Sequence, residues 1–271
     1  MKKILILGAI LIIASSHDMF IKLDTYFLKP NTQSELFIFN GTFEKSENSI
    51  ERNRMQDVTL IGPDYKVKPS GISWRDKDKI SILNFKTGKS GTYAAGISIA
   101  PNMIELTAEE FNEYLEHDGV LDVLEERKGN NELNKAAREK YSKHVKAIFQ
   151  VGKETREHFK HYFGYPIEFV PQDNPYELEV TGDLKVKLLL KGKPLKNHLV
   201  YVGYKHTIDD QDAHEGHHHE ELQLKTNLEG IANMKINEHG FWYLRTIHMV
   251  KSSEKDVDYE SNWATLTFEV R

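Results

Sequence analysis

The chain has 271 residues, and 39% of them are hydrophobic. It contains no cysteine and has a net charge of −5 at neutral pH. This length and apolar content allow one large or two modest globular domains. The lack of cysteine excludes disulfides, thiolate metal sites and cysteine nucleophiles. The negative charge argues against a nucleic-acid partner, because non-specific binding to nucleic acid requires a basic surface.

The first sixteen residues have the pattern of a signal peptide. A short basic start is followed by the apolar run 4–13, and Ala14 and Ser16 then provide small residues at positions −3 and −1 of a cleavage site. The apolar run is shorter than a stable membrane-spanning helix. The pattern predicts an exported, periplasmic protein that is soluble after cleavage, and an uncleaved signal acting as a membrane anchor is the alternative.

Cleavage after residue 16 would make His17 the first residue of the mature chain. Its α-amine and imidazole could then chelate one metal ion, since both nitrogens are donors for borderline divalent metals. Cleavage one residue earlier would remove that chelate. A histidine present at this position by chance is the alternative interpretation.

Residues 17–172 are predicted to form a first β-domain. Hydrophobic and polar residues alternate there in short stretches separated by turn residues, which is typical of an antiparallel β-sandwich. The stretches predicted as strands are 20–27, 34–43, 58–61, 79–85, 92–99 and 145–151.

A helical insertion interrupts this domain over about residues 107–143. Thr107 and Glu110 have the spacing of a capping box, and Phe111, Tyr114 and Leu115 follow at helical spacing. Residues 131–143 are rich in Ala, Glu, Lys and Arg and predict a further helix.

Turn-forming residues are dense over 164–175 and mark the predicted domain boundary. The remainder, residues 173–271, contains seven strand-like stretches, which predicts an immunoglobulin-like or transthyretin-like sandwich. The predicted fold is therefore mostly β, with two antiparallel β-sandwich domains. The seven stretches are 176–180, 184–190, 198–204, 222–226, 231–236, 240–248 and 263–270.

Residues 206–221, here called the histidine arm, join the third and fourth of these stretches. Five of the sixteen residues are histidine, six are acidic and none is basic, which suits binding of Ni²⁺, Co²⁺, Cu²⁺ or Zn²⁺. Adjacent residues of an extended chain point to opposite sides, so a flexible metal-collecting segment is predicted rather than one fixed shell. A solvated acidic loop is the alternative. The candidate ligands are His206, His214, Glu215, His217, His218 and His219.

Short motifs along the chain include HDMFI at 17–21, FNEYL at 111–115, IEFVP at 167–171, GFW at 240–242 and SNWATLTF at 261–268. In order and spacing they resemble a family of exported bacterial proteins, formally a domain of unknown function. Its members are often described as the periplasmic component of cobalt or nickel uptake systems. The resemblance covers nearly the whole mature chain and implies a protein that captures Ni²⁺ or Co²⁺ for a membrane metal transporter.

The resemblance also bears on individual histidines. It identifies His17, with Asp18 beside it, as a ligand at the mature N-terminus, and it places His248 close to the family's Gly-aromatic-Trp region. A structural strand histidine is the alternative for His248. The other histidines outside the arm are predicted at surface or turn positions, among them His117, His144, His198 and His239.

The predicted function is thus a non-enzymatic, exported metal-binding protein with Ni²⁺ or Co²⁺ as cargo and Cu²⁺ or Zn²⁺ as alternatives. Two other classes stay open: a copper-dependent oxidative enzyme that uses the His17 chelate, and a structural or adhesion module. The sequence contains no phosphate-binding loop, HExxH helix or GxSxG elbow.

Overall fold

The computed structural model describes residues 18–206 and 221–271. This part of the chain is mostly β, with two short α-helices, α1 (Ala108–His117) and α2 (Leu121–Gly129). The strands are β1 (Asp18–Lys22), β2 (Phe27–Leu28), β3 (Gln33–Gly41), β4 (Met55–Gly62), β5 (Tyr65–Val67), β6 (Trp74–Lys77), β7 (Ile80–Lys86), β8 (Gly91–Ile99), β9 (Asn102–Leu106), β10 (Ala137–Val151), β11 (Ile167–Pro171), β12 (Asp183–Leu190), β13 (Lys193–Pro194), β14 (Leu199–Lys205), β15 (Leu222–Lys225), β16 (Ile231–Lys235), β17 (Gly240–Lys251) and β18 (Tyr259–Val270).

The strands form three sheets. Sheet A has the order β1-β3-β7-β6, and sheet C has the order β11-β12-β13 with β16 also paired to β12. Sheet B has the order β15-β14-β17-β18-β10-β8-β4-β5, with β2 and β9 also paired to β10. The pairing is antiparallel, as predicted, except that β10 runs parallel to β18 and to β2.

Sheet B is the middle layer of the described structure. Ile148 and Leu266 belong to the hydrophobic core shared with sheet C, whereas Ala147 and Phe149 belong to the core shared with sheet A. Successive side chains of a strand point to opposite faces, so the even-numbered residues of β10 face sheet C and the odd-numbered ones face sheet A. The predicted packing of sheets face to face is confirmed: sheet B packs against sheet A on one face and against sheet C on the other.

The helices cover the same face of sheet B as sheet A does. Thr107 begins α1 with the predicted capping box: its hydroxyl accepts from Glu110 N at 3.3 Å, and the Glu110 carboxylate accepts from Thr107 N at 2.9 Å. Phe111 and Leu115 pack against Trp263 of β18 in a third hydrophobic core. The helices therefore border sheet A along the middle layer.

The predicted helix at 131–143 is wrong, because β10 begins at Ala137. Its composition favours a helix, but β10 is a central strand that pairs with β9 on one side and β18 on the other. Tertiary pairing of this kind overrides local propensity.

One further expectation near residue 172 is also wrong. The turn-rich stretch contains the buried strand β11, and the strand expected after it is absent from the described range 18–206. The strand expected at 176–180 is replaced by a 3-10 helix, Pro175–Glu177, which Asn174 caps by accepting from Tyr176 N at 3.1 Å. The division of the chain at residue 172 stays a prediction, and sheet B contains strands from both sides of it.

In residues 18–206 and 221–271, neither α-helix is long and apolar enough to span a bilayer.

Candidate functional site

A group of charged side chains is buried where sheet A, sheet B and the helices meet. We call it the Arg245 cluster. It combines a residue of β17 with residues from β1, β10, the end of α1 and the start of β15. Its members are Asp18, Asp118, Lys143, Glu221 and Arg245, linked by an ion pair or by mutual electrostatic effects on their pKa values.

Arg245 is the centre of this cluster. Its Nε lies 2.8 Å from Glu221 Oε1 and its Nη2 lies 2.5 Å from Glu221 Oε2, which makes a bidentate pair. The same Nε lies 3.6 Å from Asp18 Oδ2, and the guanidinium lies 4.4 Å from the centre of the Tyr201 ring. Tyr243 donates a further hydrogen bond to Glu221 at 2.9 Å. One arginine therefore joins the residue that follows His17 to the last residue of the histidine arm.

Burial shifts the titration of several groups here towards neutral pH. It raises the pKa of Asp18 to about 6, although Arg245 acts in the opposite direction. It lowers the pKa of Lys143 to about 8, with the Asp18 carboxylate opposing the shift. It raises the pKa of neighbouring Glu139 to about 7, although Ser261 and Tyr114 donate hydrogen bonds to that carboxyl group. Desolvation disfavours the charged form in each case, so the region can exchange protons near physiological pH.

Three polar atoms of the cluster have unmet hydrogen-bonding capacity. Within the described ranges, Asp18 Oδ1, Asp118 Oδ2 and Arg245 Nη1 are buried and have no hydrogen-bond partner. An unpaired buried polar atom costs about 1–3 kcal/mol, more when it is charged, so each such atom needs a partner such as a bound water molecule or ion. Three of these atoms in one cluster make it the candidate binding site for a polar or charged ligand.

An imidazole lies at the rim of the cluster. His117 Nδ1 is 3.0 Å from Asp118 Oδ1, and its side chain is 81% exposed, as its predicted surface position requires. The hydrogen bond to Asp118 raises the pKa of His117. A histidine oriented by a carboxylate through one ring nitrogen presents the other nitrogen to solvent, which is the usual arrangement of a metal-binding histidine.

The turn between the helices is closely fitted to this site. Gly119 has a φ of +76°, and a Cβ at this position would lie 1.5 Å from the Tyr201 hydroxyl. Only glycine meets both conditions without strain. The turn that carries Asp118 therefore packs closely against Tyr201, and Arg245 lies over the ring of Tyr201.

The predicted ligands are placed unevenly. His17, His214, Glu215, His217, His218 and His219 lie outside the described residues. Asp18 belongs to the Arg245 cluster. His206 directly follows β14 and its ring packs edge-on against Tyr204, with centroids 5.3 Å apart. Across residues 18–206 and 221–271, no three His, Asp or Glu side chains are arranged to hold a metal ion.

His248 is not brought to Asp18. Arg245, three residues earlier on β17, points to the face covered by sheet A, so His248 points to the opposite face. There its ring lies next to that of His198, with centroids 5.7 Å apart. The assignment of His248 as a metal ligand stays a prediction. Its ring neighbours His198 and not the residues of β1.

Two histidines predicted at surface or turn positions are buried or half-buried. His144 is 3% exposed and lies on the inner part of β10, where its Nδ1 is 2.9 Å from Ser98 Oγ. His198 is half-buried and lies between a bend at Asn197 and the start of β14, in agreement with the predicted turn position. The expectation is wrong for His144, because β10 is an inner strand of sheet B.

Sequence reasoning missed most of the cluster. Asp118, Lys143 and Arg245 are separated by 25 residues or more, and no local spacing relates them. Only the tertiary structure brings them together, because Asp118 directly follows α1, Lys143 lies on β10 and Arg245 lies on β17.

The model of a family described as Domain of unknown function (DUF4198) matches residues 14–250. No curated protein matches the chain. Among solved structures, Salmonella alpha-2-macroglobulin reacted with methylamine is 11% identical with a TM-score of 0.24, over 94% of this chain and 15% of that one. Trypsin-activated alpha-2-macroglobulin from Escherichia coli is 11% identical with a TM-score of 0.23, over 94% and 16%.

The D0-D1 domain of intimin is 12% identical with a TM-score of 0.19, over 93% of this chain and 97% of that one. The chain spans about 15% of the length of the macroglobulins that it matches. These likenesses are too low to assign a fold or a function.

Proposed function

We propose that this chain, which belongs to the family described as Domain of unknown function (DUF4198), is an exported protein that binds a divalent transition metal for an uptake system in the membrane. Ni²⁺ or Co²⁺ is the proposed cargo, ahead of Cu²⁺ or Zn²⁺. Family membership agrees with the resemblance found in the sequence, but it assigns no activity. The proposal therefore depends on the Arg245 cluster.

One observation supports the proposal above the others: Arg245 binds both Asp18 and Glu221. Asp18 is covalently next to His17, and Glu221 is two residues from His219. Consecutive Cα atoms are about 3.8 Å apart, so the two histidine-bearing segments are tethered at one place. In the proposed site, imidazoles from both segments would bind the same ion.

The chemistry of the cluster suits this role. The nitrogen donors would come from His17 and the histidine arm, while the unpaired oxygens of Asp18 and Asp118 would offset the charge of the ion. Arg245 is a cation and cannot be a ligand; its contribution is to hold the two segments together. Because neutral imidazole is the donor, affinity should fall as pH drops through the usual range of histidine.

Isothermal titration calorimetry of the mature protein at pH 7.5 with each of the four metals tests the proposal. Two variants divide the site: one carries Gly-Ser ahead of His17, and the other replaces His214, His217, His218 and His219 by serine. We expect the extension to weaken the tightest binding and the serine variant mainly to reduce the number of ions bound. A matched control replaces His158, in the 3-10 helix Glu157–Lys160, by glutamine. Absence of binding for all four metals in the unaltered protein contradicts the proposal.

The finer points of localisation and fold belong to the same proposal. Residues 1–16 would be a cleaved signal peptide, and the protein would act in the periplasm. Residues 173–271 would form an immunoglobulin-like or transthyretin-like sandwich, in support of which β14, β17 and β18 of sheet B pack against sheet C. N-terminal sequencing of the protein from a periplasmic fraction should find His17 first; any other first residue removes the proposed chelate.

A further inference from the structure

Two histidines lie side by side on the face of sheet B that is turned away from the Arg245 cluster. The antiparallel register pairs Tyr201 of β14 with Arg245 of β17, and continuing it three residues places His198 opposite His248. Their ring centroids are 5.7 Å apart with an angle of 49° between the planes. Residues directly opposite each other on antiparallel strands have Cβ atoms about 4.5–5.5 Å apart, which suits two side chains that share one ligand.

One ring nitrogen of His198 has no partner within residues 18–206 and 221–271. Its Nε2 is buried and forms no hydrogen bond among the described residues. A buried nitrogen of this kind costs free energy when it is left unpaired, so it is available to a bound group.

The backbone at His198 is also firmly held. Its N–H donates to Thr226 Oγ1 at 2.9 Å, and Thr226 N donates back to the His198 carbonyl at 3.0 Å. Next to it, the Thr246 hydroxyl donates to the Leu199 carbonyl at 2.6 Å. These bonds hold the backbone of His198 in place beside β17.

Burial disfavours the charged form of both rings. It lowers the pKa of His198 to about 4 and also lowers the pKa of His248. Asp122, in the first turn of α2, opposes both shifts, and Lys191 further lowers the pKa of His248.

We propose that His198 and His248 bind one divalent transition-metal ion, through His198 Nε2 and a ring nitrogen of His248, with water in the remaining positions. Ligand nitrogens lie about 2.0–2.1 Å from Zn²⁺, and in the proposed site the two rings would rotate to bring one nitrogen of each to that distance from a shared ion. This site is separate from the one proposed at the N-terminus, because sheet B lies between them. It uses neither His17 nor the histidine arm.

The experiment uses a full-length mature chain in which His17, His214, His217, His218 and His219 are all replaced by serine. Calorimetry with Zn²⁺ and with Ni²⁺ at pH 7.5 should still find about one ion per chain. Adding His198→Asn or His248→Asn should weaken that binding at least about tenfold. Loss of a residue that only hydrogen-bonds to a metal ligand already weakens metal binding by about that factor, and loss of a ligand should cost more. The matched control is His239→Gln, an exposed histidine at the far end of β17, which should leave the affinity unchanged.

A second measurement keeps the test independent of folding defects. Long-range ¹H–¹⁵N spectra of the imidazoles should show the His198 Nε2 resonance shifting when Zn²⁺ is added to the serine-substituted chain. The inference is overturned if that chain binds no ion, or if neither asparagine substitution weakens binding. Binding to the unaltered protein that disappears entirely in the serine-substituted chain would leave the proposed function standing and remove this site. If the serine-substituted chain and the unaltered protein bind metal equally, this site stands and the proposed function at the N-terminus is removed.

Discussion

Replacing Arg245 by methionine should destabilise the protein substantially at pH 8. Methionine keeps the apolar contact with Tyr201 but removes the charge that faces Asp18 and Glu221. The side chains of Arg245, Asp18 and Glu221 are 10%, 13% and 21% exposed, so the two carboxylates would be left largely buried without a counter-charge.

The magnitude follows from that burial. Breaking a buried ion pair by removing one partner costs about 3–5 kcal/mol, and the partial exposure of Glu221 places the expected loss near 3 kcal/mol. The loss should be smaller at pH 5. Arg245 lowers the pKa of Asp18, so without it Asp18 takes up a proton more readily and no longer needs a counter-charge.

Urea unfolding followed by circular dichroism measures this loss, provided that the dependence on denaturant is the same in both proteins. The matched control is Arg138→Met, because Arg138 forms a 3.9 Å pair with Glu105 in which both side chains are substantially exposed. That change should cost less than about 0.5 kcal/mol. The double variant Arg245→Met with Glu221→Met should recover part of the loss. A loss at pH 8 below about 1 kcal/mol, or equal to that of the control, would refute the reasoning.

Three further predictions concern other buried groups. The pKa of Glu139 is raised from 4.5 to about 7, so between these values the folded state keeps a proton that the unfolded state releases. The free energy of unfolding therefore falls as pH rises from about 4.5 to about 7. Glu139→Gln should flatten the urea midpoints across that window and be up to about 3 kcal/mol more stable than the parent at pH 8. Lys146 and Glu168 are each 2% exposed and pair at 2.5 Å, so Lys146→Met should cost about 3–5 kcal/mol in urea unfolding; a loss under 1 kcal/mol would mean that water reaches the carboxylate. Gly119→Ala adds a methyl group 1.5 Å from the Tyr201 hydroxyl at a positive φ, and should lower the free energy of unfolding by about 2–4 kcal/mol; an unchanged melting curve would show that the turn relaxes freely.

Local sequence signals predicted the elements whose structure is decided locally. The capping box at Thr107 involves residues within one turn, and it is present as expected. Residues 131–143 show the opposite case, because a helix-favouring composition there gives way to pairing with β18, more than a hundred residues away. The buried strand β11 was hidden by the turn residues on both sides of it.

The candidate site was predictable only in part. Asp18 and the histidine arm stood out because their chemistry is concentrated in short segments. Arg245, Asp118 and Lys143 are single charged residues in unremarkable surroundings, and only the tertiary structure brings them together. Likewise, the opposition of His198 and His248 follows from strand pairing and not from any motif.

The last strand has a consequence for how the chain reaches its native state. Thr265 and Thr267 of β18 donate hydrogen bonds to the carbonyls of Met19 and Ile21 in β1, a separation of 246 residues along the chain. The same strand lies between β10 and β17 in the middle sheet. Closing such long loops is slow, and it cannot begin before residues 259–270 have been synthesised. The middle sheet and its contact with β1 are therefore completed later in folding than features that are local in the sequence, such as the capping box at Thr107.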